Sequence, residues 1–217
     1  MNAIIFGAPG SGKGTYASRL QAKLNVEVIA MGDIFREIIK TEAPLSKQVK
    51  SYVENGLLVP DEIVIEVLRQ RLKQLPHGKG FILDGYPRTI AQAEALEQLA
   101  KIDVIIQLNV PEWVIIERLS ARRICSRCGA VYNLRFLKPK TDMICDKCGG
   151  QLYQRSDDMP EVIKKRIEVY EQQTKPLLQF YKEKHVPFAV ATCETLDAPP
   201  DTVVSMIIQD LKKLHLA

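Results

Sequence analysis

Short, largely apolar runs alternate along the chain with longer segments in which apolar residues recur every three or four positions. The runs are rich in valine and isoleucine, and their lack of regular polar alternation is typical of strands buried on both faces. The predicted strands cover residues 3–6, 26–30, 81–84, 104–108 and 188–191. The periodic segments predict amphipathic helices. This alternation predicts an α/β fold with a parallel sheet between two layers of helices.

Capping residues and prolines mark the expected ends of the helices. Asp33 is placed to cap one helix, and Pro44 is expected to end it. A further helix is predicted from Ser46 to Gly56, because glycine often follows a helix end. Other helices are expected to begin near Asp61, Thr89, Pro111 and Pro160. Pro176 is expected to kink or divide the last of these.

A glycine-rich stretch, Gly-Ala-Pro-Gly-Ser-Gly-Lys-Gly-Thr at 7–15, joins the first strand to the first helix. Its glycines allow successive N–H groups to face one concavity at the positive end of the helix. The phosphates of a nucleotide fit such a concavity, with Lys13 reaching the terminal ones. The common pattern has Ser or Thr directly after the lysine, whereas Gly14 precedes Thr15 here. A glycine-rich turn that binds no phosphate is the alternative.

The apolar run 81–83 ends in an acidic residue, Asp84. A carboxylate at the carboxyl end of a strand lies where ligands bind in α/β sheets. In a chain with a phosphate loop, Asp84 is therefore a candidate to hold Mg²⁺, directly or through water. The alternative is an aspartate that caps the following helix.

The composition is that of a globular protein, and it excludes several classes. The 217 residues are 46% hydrophobic, which allows one full core with insertions. No apolar run approaches the ~20 residues of a membrane-spanning helix. Because the sequence goes directly into a predicted strand, we expect no signal peptide. We therefore expect a cytoplasmic protein. A net charge of +4 is too small to indicate nucleic-acid binding by itself.

Four of the five cysteines form two CxxC pairs, Cys125 with Cys128 and Cys145 with Cys148. This spacing is typical of a zinc site with four thiolate ligands, which has no open position and is structural. The segment around it has little apolar content, so the metal would substitute for a core. Disulfides, or cysteines without a ligand, are the alternatives. Cys193 stands alone and is expected to be buried.

Five arginines lie near the expected ends of elements or in loops: Arg36, Arg88, Arg122, Arg155 and Arg166. Phosphoryl transfer needs in-line positioning and neutralisation of charge on the migrating group. A guanidinium group suits this task because it contacts two phosphate oxygens at once. Each arginine taken alone is more often a solvated surface residue than a ligand.

Several motifs together carry a family resemblance. They are the 7–15 stretch, Gly-Asp-Ile-Phe-Arg at 32–36, Gly-Leu-Leu-Val-Pro-Asp at 56–61, Phe-Ile-Leu-Asp-Gly-Tyr-Pro-Arg-Thr at 81–89, Gln92, Arg-Arg-Ile-Cys at 122–125 and Arg-Ser-Asp-Asp at 155–158. The Asp-Gly-Tyr-Pro-Arg stretch is specific to nucleoside monophosphate kinases. Over almost its whole length the chain resembles the adenylate kinases that carry a long, zinc-bearing lid. That family also has glycine between the lysine and the threonine of the loop.

The resemblance implies a P-loop three-layer fold with a core and two mobile insertions. The core would comprise residues 1–29, 60–121 and 160–217. Residues 30–59 would form an AMP-binding helical insertion, and residues 122–159 a small zinc-binding lid over ATP. The reaction would be the reversible, Mg²⁺-dependent transfer of a phosphoryl group from ATP to AMP, which gives two ADP.

The resemblance also implies roles for individual residues. ATP would be bound by Gly10, Ser11, Gly12, Lys13, Gly14, Thr15, Arg122, Val131 and Tyr132. AMP would be bound by Met31, Arg36, Leu57, Leu58, Val59, Gly85, Tyr86, Pro87, Arg88, Gln92, Arg155 and Arg166. The catalytic set would be Lys13, Asp84, Arg88, Arg122, Arg155 and Arg166. Gln92 would read the adenine of AMP, Asp84 would order the hydration of Mg²⁺, and the Tyr86–Pro87 peptide bond would be cis.

One position departs from the family pattern. The family usually has Ser-Thr-Gly-Asp before the flap helix, whereas Met31 here replaces the threonine whose hydroxyl contacts AMP. Either the adenine site is more apolar or the preference among monophosphates is looser. We expect AMP because Gln92 remains, and a monophosphate kinase with another base preference is the alternative.

The expected partners are small nucleotides, namely ATP, AMP and ADP. A second alternative is a nucleic-acid-binding or switch ATPase that uses a zinc ribbon as its contact module. The low aromatic content, 6%, argues against it, because stacking surfaces for bases are scarce. We therefore expect no nucleic-acid partner. Separately, we expect no membrane association and a monomer.

Overall fold

A computed structural model describes residues 1–41 and 44–217 of the chain. The strands within these residues form two sheets. The strands are β1 (Asn2–Phe6), β2 (Glu27–Ala30), β3 (Phe81–Asp84), β4 (Val104–Asn109), β5 (Arg122–Cys125), β6 (Val131–Asn133), β7 (Leu152–Tyr153) and β8 (Phe188–Thr192).

The larger sheet has the strand order β2-β3-β1-β4-β8, and every neighbouring pair in it is parallel. At its centre, Ile4 of β1 lies beside Leu83 of β3 and Ile105 of β4. Because all five strands run the same way, their carboxyl ends share one edge of the sheet. The glycine-rich loop after β1 and Asp84 at the end of β3 lie on that edge. The predicted α/β fold is confirmed.

Helices connect the strands of the larger sheet. Among the described residues they are α1 (Lys13–Leu24), α2 (Met31–Ile39), α3 (Pro44–Glu54), α4 (Asp61–Lys73), α5 (Ile90–Glu97), α6 (Glu112–Ser120), α7 (Pro160–Val169), α8 (Leu177–Glu183) and α9 (Pro200–Lys213). A π-helical turn, Tyr170–Thr174, separates α7 from α8 just before Pro176, so the predicted division is confirmed. None of these helices is long and apolar enough to cross a membrane.

The two faces of the sheet pack against different helices. Ile5 and Ile106 contribute to a cluster with Leu20 of α1 and with α9. Ile4 and Ile105 point the other way, into a cluster that includes residues of α4, α5 and α8. All five of these side chains are at most 1% exposed. Burial of an isoleucine contributes ~1.5–3 kcal/mol, so the sheet is a stable base for the loops at its edge.

The segment that contains the four paired cysteines forms a second sheet, which is antiparallel and has the order β6-β5-β7. The sequence predicted a metal site here but no sheet. Its buried cluster consists of Cys125, Tyr132, Cys145 and Leu152. A core this small needs a cross-link or a metal to hold it together.

Two predictions about helix starts were wrong. Asp33 is not a cap, because α2 begins at Met31 and Asp33 lies in its first turn. There its carboxylate accepts a hydrogen bond from Arg36 Nη2 at 2.5 Å. Helix α3 begins at Pro44, not at Ser46. Proline suits the first turn of a helix, where its missing N–H would have no partner.

Candidate active site

The loop between β1 and α1 is shaped by glycines. Gly10 and Gly12 have φ angles of 85° and 96°, which residues with a Cβ rarely adopt. A Cβ on Gly12 would lie 2.7 Å from Cε2 of Tyr16, and one on Gly10 would lie 2.7 Å from Cγ of Leu119. The Ser11 hydroxyl is buried and has no hydrogen-bond partner among the described residues. An unpaired buried hydroxyl beside glycine amides indicates a site for a polar ligand.

The Lys13 side chain folds back over this loop. Its Nζ donates to two loop carbonyl oxygens, that of Gly7 at 2.7 Å and that of Ala8 at 3.0 Å. Burial lowers the pKa of Lys13 to about 8, although the Asp84 carboxylate opposes the shift. Nearby arginines, Arg88 first among them, lower the pKa further. A polyanion would stabilise the charged form of this lysine.

Asp84 lies next to the loop, at the end of β3. Its Oδ2 lies 3.4 Å from the point where a Cβ on Gly14 would stand. Burial raises the pKa of Asp84, and Lys13 and Arg88 oppose that shift. Asp84 does not cap the next helix, since α5 begins at Ile90 and is capped by the Thr89 hydroxyl. Carboxylate oxygens are ligands that Mg²⁺ prefers, so this position fits the ion.

Two aspartates neutralise part of the arginine cluster. Asp158 is fully buried, and Arg122 donates to it through Nε at 2.8 Å and Nη2 at 2.5 Å. Arg166 Nη1 lies 3.3 Å from the same carboxylate and 3.1 Å from Oδ2 of Asp157. Arg166 also donates to the Asp157 carbonyl at 2.8 Å. These pairs orient two arginines in the absence of a ligand.

The remaining arginines have fewer partners. Arg155 Nε is buried without a hydrogen bond among the described residues. Burial lowers the pKa of Arg155 to about 10, and the charges of Arg36 and Arg122 add to the shift. Burial also lowers the pKa of Arg88, with Arg166 as the next cause. The arginines thus lie close enough to repel one another, and phosphate groups would relieve that repulsion.

A cavity opens between α2, α3 and the core, beside this cluster. The residues predicted to bind the monophosphate that line it are Arg36, Leu57, Leu58, Val59, Gly85, Arg88, Gln92 and Arg166. Its volume is about 80 Å³. Ligand pockets usually have ~300–1,000 Å³, so a nucleotide requires the cavity to widen.

The Gln92 side chain forms part of the cavity wall and is 1% exposed. Its Nε2 donates to Asp61 Oδ1 at 2.7 Å, and its Oε1 accepts from the Arg88 N–H at 2.8 Å. Behind it, the Tyr86–Pro87 peptide bond is cis, as expected. The Tyr86 hydroxyl donates to the Gln92 carbonyl at 2.8 Å. Tyr86 and Pro87 are buried and support the site from behind instead of lining the cavity.

Arg122 and Arg155 belong to the arginine cluster without lining the cavity, and three further predicted residues lie outside the cavity wall, the glycine loop and that cluster. The Met31 side chain is 1% exposed and belongs to the core cluster under α2. Val131 is exposed at the start of β6. The Tyr132 hydroxyl faces the cysteines, where it accepts from the Asp146 N–H at 2.7 Å and lies 3.5 Å from Cys145 Sγ.

The four paired cysteines converge. The Sγ atoms of Cys125, Cys128, Cys145 and Cys148 all lie within 4.8 Å of one another. A tetrahedral Zn²⁺ site has Zn–S distances of ~2.3 Å, which place the sulfurs about 3.8 Å apart. The Arg127 N–H points at Cys125 Sγ at 3.4 Å, as in metal–thiolate turns. The donor set and spacing fit zinc, whereas Cys193 is buried elsewhere, as expected.

Sequence reasoning missed several residues that the structure brings to the site. The sequence motifs assign no role to Asp157 and Asp158, although two adjacent acids beside an arginine are a signal for internal ion pairs. Asp61 was interpreted only as a helix start.

Comparisons with known proteins agree with this geometry. The sequence profile described as "Adenylate kinase" matches residues 5–186. The adenylate kinase of Caldicellulosiruptor saccharolyticus is 52% identical over 189 residues, which cover 85% of this chain and 88% of that protein. The adenylate kinase of Bacillus cytotoxicus is 50% identical over 188 residues, or 84% and 87% of the two chains. That of Clostridium tetani is 46% identical over 195 residues, or 88% and 90%.

The profile match covers most of the chain, and these relatives are 46–52% identical to it, so the two comparisons indicate the same family. Together with a glycine-rich loop, a convergent set of arginines and a four-cysteine cluster, they show that the chain belongs to the adenylate kinase family.

Proposed function

We propose that this chain transfers the γ-phosphoryl group of ATP reversibly to AMP, giving two ADP. The observation that carries the proposal is one cluster of arginines with a phosphate loop on one side and a cavity lined by Gln92 on the other. Two anionic ligands that approach from these two sides would meet at the arginines. The curated relatives are named adenylate kinase, which agrees with this arrangement.

On the donor side, we assign the ATP phosphates to the amides of Gly10, Ser11, Gly12, Lys13, Gly14 and Thr15. Lys13 would leave the carbonyl of Gly7 and donate to the terminal phosphates instead. Mg²⁺ bound with ATP would neutralise charge on the phosphate oxygens, and we assign to Asp84 the ordering of its hydration shell. Arg122, with Val131 and Tyr132, would contact ATP from the lid.

On the acceptor side, we assign the AMP phosphate to Arg36, Arg88, Arg155 and Arg166. The purine would lie near Gln92 and the segment 57–59, which line the cavity. Met31, Gly85, Tyr86 and Pro87 would shape this site. The buried position of Met31 favours an indirect role, because its side chain packs in the core instead of facing the cavity.

The arginines would perform most of the catalysis. They hold the two nucleotides for in-line attack and stabilise charge that spreads over the transferred group. We propose that residues 30–59 and 122–159 move as flaps on the core formed by residues 1–29, 60–121 and 160–217. Their closure would exclude water, to which the γ-phosphoryl group would otherwise be lost. The small volume of the cavity supports such movement.

We assign structural Zn²⁺ to the four paired cysteines, because their small sheet has too little core to be stable alone. Removal of the metal with a chelator is expected to increase amide hydrogen exchange in residues 122–159 and to leave the main sheet protected. Metal analysis of the purified protein should give about one zinc per chain. Unchanged exchange in the lid after metal removal would contradict the assignment.

The decisive experiment is a coupled assay for ADP formation from ATP and AMP with Mg²⁺, using metal-loaded protein. The same assay with CMP, UMP and GMP tests the base preference. Lys13→Met is expected to abolish turnover, whereas Lys23→Met, on an exposed turn of the same helix, is the matched control and should retain it. Failure of the native protein to convert AMP would refute the proposed function.

A further inference from the structure

The Gln92 side-chain amide is held from two directions, by groups of opposite hydrogen-bonding character. Asp61, at the start of α4, accepts from Gln92 Nε2 at 2.7 Å. The Arg88 backbone N–H donates to Gln92 Oε1 at 2.8 Å. Asp61 is itself held by the Thr89 hydroxyl, which donates to its Oδ2 at 2.9 Å.

These contacts permit only one orientation of the amide. An ionised carboxylate can only accept a hydrogen bond, and a backbone N–H can only donate one. Rotation of the Gln92 amide by 180° would set its carbonyl against Asp61 and its NH₂ group against the Arg88 N–H. Two hydrogen bonds would then become two repulsive contacts in a nearly fully buried place.

Within residues 1–41 and 44–217, the fixed amide retains one free donor and one free acceptor. Nε2 carries two hydrogens and uses one on Asp61, while Oε1 has two lone pairs and uses one on the Arg88 N–H. Because Gln92 lines the cavity, a ligand bound there can form hydrogen bonds with this remaining donor and acceptor. Of the two groups that fix the amide, the Arg88 N–H belongs to a residue of the cavity wall, whereas Asp61 lies behind the wall and is not among the residues that line it.

The positions of the free donor and acceptor on the Gln92 amide determine which purine base can pair with it. Adenine presents a 6-amino donor next to a ring-nitrogen acceptor, a pair that a side-chain amide reads with two hydrogen bonds. Hypoxanthine and guanine carry a 6-oxo acceptor there, beside a protonated N1. A freely rotating amide pairs with either arrangement by turning over, whereas a fixed one pairs only with adenine.

We propose that Asp61 is a specificity-determining residue of this enzyme, which excludes 6-oxopurine monophosphates by fixing the orientation of the Gln92 amide. The inference rests on the proposed function of the cavity as the AMP site. Asp61 acts through Gln92 and is a positioning residue. A substitution that lets the side chain at Asp61 donate as well as accept a hydrogen bond should therefore change the preference between purine bases more than it changes the rate of phosphoryl transfer.

The test compares Asp61→Asn with the native protein, using ATP as donor and AMP or IMP as acceptor. An asparagine has nearly the same shape but can also donate, so it tolerates the rotated amide of Gln92. We expect kcat/KM for AMP to fall mainly through KM, and the ratio of kcat/KM for AMP to that for IMP to narrow about tenfold. Asp201→Asn, in the first turn of α9, is the matched control and should leave the ratio unchanged.

Two further variants make the result independent of folding defects. Asp61→Ser, whose hydroxyl both donates and accepts, should also narrow the ratio, and thermal melting identifies any variant that does not fold. In a Gln92→Ala background, Asp61→Asn should change the ratio no further, because the amide through which it acts is absent.

The inference would be overturned if kcat/KM fell equally for AMP and IMP in both Asp61 variants. It would also be overturned if Asp61→Asn changed the AMP-to-IMP ratio as much in the Gln92→Ala background as in the native protein. If the native protein phosphorylates AMP but the Asp61 variants leave the ratio of kcat/KM for AMP to that for IMP unchanged, this inference alone is refuted. A native protein inactive on AMP refutes the proposed function instead.

Discussion

Arg122 and Asp158 are joined by two parallel hydrogen bonds, Nε to Oδ2 at 2.8 Å and Nη2 to Oδ1 at 2.5 Å. The two residues are 36 positions apart, and the aspartate is fully buried while the arginine side chain is 18% exposed. The pair therefore links the first residue of the cysteine-bearing segment to the turn that closes it. A partly buried cation held in this way is preorganised for an anionic ligand.

Asp158→Asn is expected to destabilise the ligand-free protein by about 3 kcal/mol, because it leaves Arg122 and Arg166 without a shared counter-charge. A bound triphosphate should recover part of this loss, since it brings negative charge to the same arginines. Urea unfolding with and without a non-hydrolysable ATP analogue measures both effects. Asp201→Asn breaks an exposed pair with Arg19 and should cost less than about 1 kcal/mol. Equal destabilisation by the two substitutions would contradict the structural role of Asp158.

ATP binding is expected to take up a proton above pH 8. Burial lowers the pKa of Lys13 to about 8 in the free protein, so half of these side chains are neutral at that pH. Phosphates favour the charged form and raise the pKa, so ATP affinity should fall as pH rises above 8. Calorimetry at pH 8.5 in buffers with different ionisation enthalpies measures the uptake directly.

The same shift affects stability with a definite sign. Below pH 8 Lys13 is charged in both the folded and the unfolded chain, and its burial opposes folding. Between pH 8 and 10.5 the unfolded chain binds more protons at this site, so the contribution of Lys13 to stability becomes less unfavourable as pH rises. Lys13→Met should remove both this dependence and the proton uptake. Proton uptake that persists in the variant would assign it to another group.

Tyr132→Phe is expected to weaken zinc binding about tenfold. The Tyr132 oxygen accepts from the Asp146 N–H, so its own proton is directed at Cys145 Sγ, 3.5 Å away. This hydrogen bond lowers the pKa of the Cys145 thiol and favours its thiolate form. Competition with a coloured chelator measures the affinity. Tyr153→Phe, exposed on the same small sheet, should leave it unchanged, and an equal effect of both substitutions would exclude a specific contact.

Arg88→Lys is expected to reduce kcat about 100-fold while ATP affinity changes little. Arg88 Nε donates to the Gly85 carbonyl at 3.0 Å, which aims the rest of the guanidinium group into the cavity. A lysine keeps the charge but cannot contact two oxygens of the transferred group at once. Steady-state kinetics and ATP titration separate the two quantities. Arg69→Lys, in an exposed pair on α4, is the control; a proportional loss of turnover and ATP binding would make Arg88 a binding residue only.

Local patterns predicted most of the scaffold, because each depends on neighbours in the chain. The apolar runs located the strands of the main sheet within a residue or two, and the pairs of cysteines located the four-cysteine cluster. Helix starts were less predictable. Asp33 has the right chemistry for a cap, but Met31 packs into the core, and the helix begins there, three residues earlier than a cap at Asp33 would place it.

The small sheet around the cysteines was not predictable by the same reasoning. Its strands are short, β7 having only two residues, and their apolar positions form no run that a local pattern detects. The contacts within that sheet join residues such as Cys125 and Leu152, which are distant in the chain. The pairing of these short strands thus depends on the folding of the segment around the cysteines, which brings distant residues together.

By itself, the sequence determined the kind of chemistry this protein performs. A glycine loop that ends in Lys13, an acid at a strand end and four paired cysteines specify phosphate and metal ligands through residue type and spacing alone. Only the tertiary structure decided which polar and charged side chains contact one another. Asp158 meets Arg122 from 36 residues away, and Asp61 meets Gln92 from 31 residues away. Such pairs depend on how α4 packs beside α5 and on where the cysteine-bearing segment returns to the rest of the chain, and no local pattern in the chain encodes either.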